Sequence, residues 1–559
     1  MVKWFRRHPY TYSMVLVVAL ATLLRLLLIL FNWPITNSDE GNMGIVGLHV
    51  AFGGEWPIFF YGLPYMGPVE GYLAAPLFKL FGPSLITLRL PLLAMYTGFL
   101  IGMYYLVRLL YNEKYALASI ILLSLGTPEM VLRQIKAVGE YPEMGIGAAL
   151  IPLLAAWLAI TAQAQMPEQI GKIWSKRTLV FGLLGLIIGV SIWVDFLILA
   201  FVATAGVLLL IFCRREKYGW GALILGGIIG IFPLIYYNLT APFSQNSLFV
   251  LIGLHNGGAG EMTQKGLTIL HQVIGTIMIA LPLQTGAFPR PATDSSWPIF
   301  GTPDAGSTVN AIYFAAWGIG FLVLFVIACV MIIPKVVRQW RYAATDEQKR
   351  IVFARDCARC MLLVSGGLTL LQYITSSQAA VYPITSARYL TCLVNIIPVI
   401  LWPLWVSAGR LKQAVGGPQR IRSIANCGIL SIIVTVYLLG TVATVASVPQ
   451  AKQNYQQRVR LIDHLLSSGA TRIYSEYWTC NNLTFQSQEK IICSSLSETL
   501  GPGFDRYAPY RDIVRSVPQP TYVFPENMPQ VSLLEQQLKG KPYRQYNFEG
   551  YEIFQPTGP

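Results

Sequence analysis

Charged side chains are scarce in this sequence, at 12% of its 559 residues, whereas 54% of the residues are hydrophobic. Soluble globular proteins carry about 25% charged residues, so this shortage excludes an ordinary water-soluble enzyme. Cysteine and histidine are rare too, with 8 and 5 residues, and no His/Asp cluster has the spacing of a metal site. The composition is typical of a chain that crosses a membrane many times, and we expect neither a bound metal nor a cofactor.

Apolar runs long enough to cross a bilayer, which takes about 20 helical residues, recur along the chain. They predict about eleven transmembrane helices in an α-helical polytopic membrane protein. Residues 178 to 212 are too long for one span, so we predict a helical hairpin bent near Trp193 and Asp195. The predicted spans are 10–31, 86–107, 115–130, 143–162, 178–193, 195–213, 219–238, 310–333, 360–378, 389–408 and 424–447.

Lysine and arginine concentrate in the N-terminal segment and in every second loop between these spans. The positive-inside rule places such loops in the cytoplasm, so we predict a cytoplasmic N-terminus, an extracytoplasmic C-terminus and residence in the plasma (inner) membrane. Anionic lipid headgroups account for the net charge of +14, so no nucleic-acid partner is expected.

Three segments lie outside the spans on the predicted outer side. We assign residues 1–447 to a transmembrane catalytic domain that includes the first outer loop, 32–85, and a long outer loop, 239–309. The first loop carries two helix signals, one capped by Asn37 or Ser38 and one that begins at Pro68. The long loop has an apolar helix near 266–283 and then a proline-rich tract, 286–307.

The last segment, 448–559, is predicted to be a small extracytoplasmic α/β domain. A helix through "QRVRLIDHLLSS" precedes four strand-like stretches, "TRIYSEYW", "EKIICSS", "PTYVFPE" and "YEIFQP". A disulfide between Cys480 and Cys493 stays open at this point, because an oxidising compartment permits it without requiring it. The aromatic residues of this domain either offer faces to an acceptor or pack its core; they are Tyr474, Tyr477, Trp478, Tyr507 and Tyr510.

Asp39 and Glu40 form the first acidic pair of the chain and follow the first span directly. A carboxylate at the start of a helix lies at the positive end of the helix dipole, so we expect Asp39 to remain ionised at neutral pH. An ionised carboxylate is able to take a proton from a hydroxyl or amine acceptor that attacks the anomeric carbon of a sugar, as in general-base catalysis with inversion. The alternative is that Asp39 only caps its helix.

The order of these motifs resembles a known superfamily. The first span is followed by the Asp-Glu pair and then by "YGLPYMGPVEGYLAAPLFKLFGPS" in the same loop. Further along come "EYPEMG" at 140–145, "ARYLTCL" at 387–393, and the C-terminal phrases "TFQSQEKII", "DRYAPYRDIV" and "PTYVFPE". Over essentially its whole length the sequence is similar to bacterial GT-C glycosyltransferases that use polyprenyl-phosphate sugars, such as protein O-mannosyltransferases and lipid A aminoarabinose transferases.

That resemblance implies a GT-C fold and assigns roles to individual positions. Asp39 matches the catalytic aspartate, Glu40 is its partner, and Glu70 matches the acidic residue of the second motif. Many relatives have a lysine after that glutamate, whereas this chain reads "GPVEGYL", so the donor-phosphate cation is sought elsewhere. We expect Arg388 first and then Lys136 and Arg133, although the last two also suit lipid headgroups. The substrate cavity is expected to include Glu140, Tyr141, Asp195, Tyr65 and Tyr389.

The expected activity is therefore that of a hexosyl- or pentosyltransferase of the inverting type. Its partners would be a polyprenyl-phosphate-linked sugar, membrane lipid and an acceptor that is a glycan, a lipid or a protein. We expect Asp39, Glu70 and Arg388 to line one cavity. The alternatives are a transporter or flippase of lipid-linked sugars, for which mid-membrane ionisable residues on broken helices would be expected, and a non-catalytic surface receptor.

Overall fold

The structure is a computed structural model that describes residues 9–162, 175–256, 259–289, 305–340, 347–411 and 417–557. Most of the predicted proline-rich tract, 290–304, lies outside these ranges. The chain divides into two compact units. The first comprises Met1–Leu23, Met95–Gln134 and Tyr141–Thr444, and the second comprises Leu24–Ala94, Ile135–Glu140 and Val445–Pro559.

Long apolar helices account for most of the described residues. Ten of them are long and apolar enough to span a membrane, and a bent pair raises the number to 11, which confirms the predicted polytopic membrane fold. By composition and length these ten are Tyr10–Leu30, Leu85–Leu110, Tyr141–Thr161, Lys176–Val194, Phe196–Cys213, Lys217–Thr240, Ala311–Trp340, Gln348–Ile374, Pro383–Gly409 and Gly417–Ser467.

The bent pair corrects one predicted span. Instead of one helix over 115–130, the chain forms Glu113–Ser124 and Pro128–Ile135, which meet at an angle of 92°. Pro128 explains the break, because proline donates no backbone hydrogen bond and forces the residue before it out of the helical region. The predicted break near Trp193 and Asp195 is confirmed: helix Lys176–Val194 ends at Asp195, and a short 3₁₀ turn, Phe196–Ile198, leads into helix Leu199–Cys213.

Several other helices extend beyond the apolar runs that predicted them. The helix predicted at 360–378 is Glu347–Ile374, because the charged residues before 360 lower the local hydropathy without ending the helix. The helix predicted at 389–408 begins as a 3₁₀ stretch, Ala387–Ile396, and becomes α-helical over Ile397–Gly409. The shorter helices of the first unit are Ser247–Asn256, Ala259–Gln264, Ile269–Gly275, Leu281–Thr285, Gln378–Val381 and Pro383–Ser386. The apolar helix expected near 266–283 corresponds to Ile269–Thr285, with a π-helical middle.

The first loop forms two helices of the second unit, here α1 (Ser38–Leu48) and α2 (Val69–Phe81). α1 continues as a π turn, His49–Gly53, and Gly54 ends it with a left-handed φ of 72°. The sequence predicted Pro68 as the first helical residue of α2. In the structure Pro68 is instead the N-cap of that helix. The two helices pack closely because their contact has no side chain at two positions, Gly47 against Phe78 and Gly71 against Val46.

The C-terminal segment adds helix α3 (Val448–Ser467) and a five-stranded sheet in the order β2-β1-β3-β5-β4. β1 (Arg472–Ser475) is parallel to β2 (Ile492–Ser495) and β3 (Thr521–Pro525). β5 (Tyr551–Pro556) is antiparallel to β3 and to β4 (Tyr543–Phe548). Helices α4 (Tyr477–Gln486), α5 (Pro509–Arg515) and α6 (Pro529–Gln537) connect the strands.

This arrangement confirms the predicted small sheet near the C-terminus, with two local differences. The stretch "TRIYSEYW" is a strand only as far as Ser475, because Glu476 caps α4. β4 was not predicted, since its sequence "YRQYNF" is largely polar, lies at the sheet edge and contains no fully buried residue. Cys480 of α4 and Cys493 of β2 are joined by a disulfide.

The division into units also differs from the predicted domain boundary at residue 447. Residues 32–85 belong to the same compact unit as the C-terminal segment. Two glycines of α1 account for this close packing: a Cβ on Gly41 would lie 2.6 Å from the backbone of Asn481, and one on Gly44 would lie 2.4 Å from the ring of Phe485. The first loop and the C-terminal segment from residue 448 onward, here called the sheet domain, therefore belong to one compact unit.

Candidate functional site

Asp39 lies in the first turn of α1 but does not cap it. Asn37 is the N-cap, and its side chain accepts a hydrogen bond from the backbone N–H of Glu40 at 3.2 Å. Oδ1 of Asp39 instead accepts bonds from the hydroxyl of Tyr477 at 2.5 Å and from Nη2 of Arg506 at 2.8 Å. Within the described chain no hydrogen bond reaches Oδ2, and the Asp39 side chain is 14% exposed. One oxygen of this carboxylate is therefore held while the other is open.

Arg506 is fixed from several directions. Its Nε donates to the hydroxyl of Tyr477 at 2.6 Å. Its guanidinium lies 5.1 Å from the ring centre of Phe60, 5.6 Å from that of Tyr477 and 5.3 Å from that of Phe504. Such cation–π contacts hold a guanidinium plane in one orientation. Asp39, Tyr477 and Arg506 thus form a rigid group built from the first loop and the sheet domain.

Glu40, although adjacent to Asp39, is fully buried and saturated with donors. Arg89 donates to its two oxygens from Nε at 2.7 Å and from Nη2 at 2.6 Å, and the backbone N–H of Ala137 donates at 3.1 Å. Burial acts to raise the pKa of Glu40, but the guanidinium of Arg89, helped by the ammonium of Lys136, outweighs it and holds that pKa below its ordinary value. Glu40 is therefore a buried ion-pair partner, and no substrate reaches its carboxylate.

Glu70 is buried as well. It lies in the first turn of α2, and its Oε2 accepts a hydrogen bond from the backbone N–H of Gly139 at 2.8 Å. Glu40 and Glu70 therefore hold the same short segment, Ile135–Glu140, through two of its backbone amides. Three acids of the first loop were expected to take part in the chemistry. In the structure only Asp39 of these three has an open carboxylate oxygen, whereas Glu40 and Glu70 are buried.

The other predicted residues of the second unit also lie close to this segment or to the core. Lys136 and Glu140 belong to it; both are buried, and Glu140 has a left-handed φ of 62°. Tyr65 packs, partly buried, against the apolar core under α1 and α2. The positive charge of Lys136 helps Arg89 to lower the pKa of Glu40.

The remaining predicted residues lie in the first unit, so Arg388 is not in the compact unit that holds Asp39 and Glu70. The guanidinium of Arg388 lies 5.3 Å from the ring centre of Tyr389. Asp195 is buried and caps the 3₁₀ turn Phe196–Ile198, because its Oδ1 accepts a hydrogen bond from the N–H of Leu197 at 2.7 Å. Arg133 forms an ion pair with Glu129 at 3.5 Å.

Arg133 and Tyr141 line a cavity of about 450 Å³ in the first unit. The Arg133 guanidinium lies 5.1 Å from the ring centre of Tyr141. The other polar residues that line this cavity are Gln134, Gln284, Thr391 and Asn395. A second cavity, of about 690 Å³, is almost entirely apolar, and it is lined by residues such as Trp317, Phe321, Ile400 and Ile433 together with Thr285. Consecutive residues, Gln284 and Thr285, line one cavity each.

A second polar cluster lies at the other end of α1. Nδ1 of His49 is 2.6 Å from the hydroxyl of Tyr61, and Nε2 is 3.1 Å from Oε1 of Glu489. Tyr510 donates to the same Glu489 oxygen at 2.7 Å, and Tyr61 donates to Glu55 at 3.0 Å. The hydrogen bond from His49 is the main cause that lowers the pKa of Glu489, while burial raises the pKa of Tyr510. In the part of the chain that the structure describes, no group of three or more His, Cys, Asp or Glu residues is arranged to hold a metal ion.

The aromatic residues of the sheet domain divide into two sets. Tyr474, Tyr507 and Tyr510 pack against the apolar core of the second unit. Trp478 and Phe504 are instead 57% and 55% exposed, and both rings contact Tyr477. The sequence indicated Tyr477 only as one of five aromatic residues of the domain and did not indicate Arg506 as a site residue. Arg506 lies 467 positions after Asp39, and no local sequence pattern connects two residues so far apart.

No family model matches this sequence, and no curated protein matches it. Solved structures do match over almost the whole chain. ArnT from Cupriavidus metallidurans in the apo state aligns with a TM-score of 0.50 and 13% identity, over 97% of this chain and 98% of that one.

The oligosaccharyltransferase of Archaeoglobus fulgidus aligns in two forms. The form tethered with an acceptor peptide containing the NVT sequon gives a TM-score of 0.51 at 12% identity, over 100% of this chain and 75% of that one. The apo form gives 0.50 at 11% identity, over 93% and 70%. Both neighbours are GT-C superfamily members, so the chain has the GT-C fold, as its sequence motifs predicted.

Proposed function

We propose that the protein is an inverting glycosyltransferase that moves a hexose or pentose from a polyprenyl-phosphate donor to an acceptor outside the cytoplasm, with Asp39 as general base. One observation carries the proposal: Asp39 is the acid of the first loop that combines a partly exposed side chain with a carboxylate oxygen to which no described residue donates. The GT-C fold supports glycosyl transfer in general.

The reaction step follows from that open oxygen. Oδ2 of Asp39 takes the proton of an acceptor hydroxyl or amine as the acceptor atom forms a bond to the anomeric carbon. The bond from that carbon to the phosphate oxygen breaks on the opposite face, and polyprenyl phosphate leaves with the electron pair. Attack opposite the leaving group inverts the anomeric configuration.

The leaving phosphate needs positive charge where its negative charge develops. Arg133 suits this role better than Arg388, the first expectation, because Arg133 lines a cavity of the first unit whose mainly apolar wall also contains amide side chains. Lys136 is buried, and its charge acts on the carboxylate of Glu40. The neighbouring apolar cavity has the lining that a polyprenyl chain requires. We therefore propose Arg133 as the donor-phosphate cation of an integral membrane protein whose N-terminus is cytoplasmic.

The test is transfer of label from radiolabelled polyprenyl-phosphate hexoses and pentoses to a membrane extract by the purified full-length protein. We expect transfer by the wild type and by Asp463→Asn, an exposed aspartate of α3 that serves as the matched control. Asp39→Asn should transfer label at least about 10²-fold more slowly than the wild type. Equal transfer by Asp39→Asn would overturn the proposed base, and lipid movement across vesicles without any transfer would favour a flippase.

A further inference from the structure

Tyr477 and Arg506 both bind Oδ1 of Asp39, although they come from the opposite end of the chain. Each donates to that oxygen, and Arg506 also donates to Tyr477. A carboxylate oxygen that already accepts two charge-assisted or strong hydrogen bonds is a poor proton acceptor, because protonation would break them. The contacts therefore distinguish the two oxygens of a chemically symmetric group.

Both donors keep their protons at neutral pH. An arginine guanidinium is always charged in proteins. Burial, and then the negative charge of Asp39, raise the pKa of Tyr477 above its ordinary value, so its hydroxyl remains a donor. Neither group is therefore able to take the acceptor's proton, and both hold Oδ1 throughout the pH range in which the enzyme would work.

The surrounding structure keeps this geometry rigid. Tyr477 is the first residue of α4, which is packed tightly on α1 at Gly41 and Gly44 and joined to β2 through the Cys480–Cys493 disulfide. Gly62, with a φ of 78°, lets the chain pass Arg506 closely, since a Cβ there would lie 3.3 Å from the arginine side chain. A base held in this way loses little freedom when the reaction begins.

We propose that Arg506 and Tyr477 are positioning residues of the transferase: by occupying Oδ1 of Asp39 they fix Oδ2 as the oxygen that takes the acceptor's proton. The inference rests on the proposed function, since it concerns the base of that reaction. It makes the sheet domain part of the catalytic machinery. Arg506 and Tyr477 act through Asp39 and touch neither substrate.

The experiment compares Arg506→Ala, Arg506→Lys and Tyr477→Phe in the full-length protein, with Arg460→Ala as the matched control. Arg460 forms a bidentate ion pair with Glu549 in the same unit, at 2.5 and 2.9 Å, away from Asp39. We expect kcat to fall about 10²-fold for Arg506→Ala, because a misplaced base loses its alignment. KM for the labelled donor should not change. Arg506→Lys should recover part of the loss, and Tyr477→Phe, which keeps the ring, should lose less than Arg506→Ala.

Chemical rescue separates positioning from a merely structural role. Adding guanidinium ion at non-denaturing concentration should restore part of the kcat of Arg506→Ala and none of that of Asp39→Asn. Wild-type kcat in folded Arg506→Ala and Tyr477→Phe, or a change in donor KM alone, would overturn the inference. If Arg506→Ala does not fold, Arg506→Lys and Tyr477→Phe decide. An inactive Asp39→Asn beside fully active Tyr477→Phe and Arg506→Lys would overturn this inference alone, whereas an active Asp39→Asn would overturn the proposed base itself.

Discussion

The two ends of helix α1 make a useful comparison, because each carries a polar group that binds the sheet domain. At the N-terminal end, Asp39 is bound by Tyr477 and Arg506. At the other end, His49 contacts Glu489 and Tyr510. Both clusters join the first loop to a segment more than 400 residues away.

The clusters differ in how completely their polar atoms are used. Both ring nitrogens of His49 have partners, the residue is 6% exposed, and the rings of Tyr61 and Tyr507 pack against its ring. Asp39 leaves one oxygen without a described donor. A saturated cluster holds two segments together, whereas an unsaturated one retains capacity to bind or to react. The difference indicates which end of α1 does chemistry.

The largest expected effect is on turnover. Asp39→Asn should reduce kcat by about 10²- to 10⁴-fold, the contribution of a general base. His49→Gln should leave kcat within the same order of magnitude, since His49 holds structure rather than substrate. Single-turnover transfer of radiolabelled sugar measures both. A comparable loss in His49→Gln would erase the distinction between the two ends.

The free energy of unfolding should depend more on Glu40 than on Asp39, the opposite of what we expect for turnover. Glu40→Gln leaves the fully buried guanidinium of Arg89 without its counter-charge, so it should lower the free energy of unfolding by about 3–5 kcal/mol. Asp39→Asn should cost far less, because its side chain is partly exposed. Thermal unfolding of the two variants in the same detergent gives the comparison, and equal melting temperatures would contradict it.

The middle of α1 should couple its two ends. Gly44→Ala places a methyl group 2.4 Å from the ring of Phe485, and such overpacking costs about 1–3 kcal/mol. Gly53→Ala is the control, because its Cβ would lie 3.8 Å from the nearest atom. We expect reduced stability and reduced transfer only in Gly44→Ala. Unchanged melting of that variant would show that the contact between α1 and α4 is looser than described.

The smallest effect concerns pH and the His49 cluster. The pKa of Glu489 lies below its ordinary value of 4.5, first because of the hydrogen bond with His49. A depressed pKa means that the charged form stabilises the fold above that value and that this contribution is lost as the pH falls from about 4.5 through the folded-state pKa. Glu489→Gln should therefore flatten the decline in melting temperature at acidic pH. An identical decline in wild type and variant would assign it to other groups.

The sequence was informative wherever a physical signal is local. Hydropathy located the spans, and the uninterrupted apolar run over 178–212 required the bend found at Asp195. The position of Asp39 after the first span marked the loop that carries the open acid. Sequence did not separate Asp39 from Glu40, because adjacent residues of a helix point in different directions, and the packing around them decides which one is buried.

Other features depend on contacts between distant segments. Arg506 acquires its meaning only from Asp39, 467 residues earlier, and no periodicity records that pairing. Glu70 looked like a reactive acid until its bond to Gly139 assigned it to a backbone amide. The sequence motifs placed Arg388 before Arg133, and only the cavity that Arg133 lines favours the reverse order.

The distance along the chain between Asp39 and its partners also bears on how the protein is made. Tyr477 and Arg506 follow Asp39 by 438 and 467 residues, so the first loop is synthesised long before either partner. A polypeptide released early would contain most of the membrane helices with an unassembled acid. The site therefore becomes complete only after residues 477 and 506 have been synthesised and their segment has folded against the first loop.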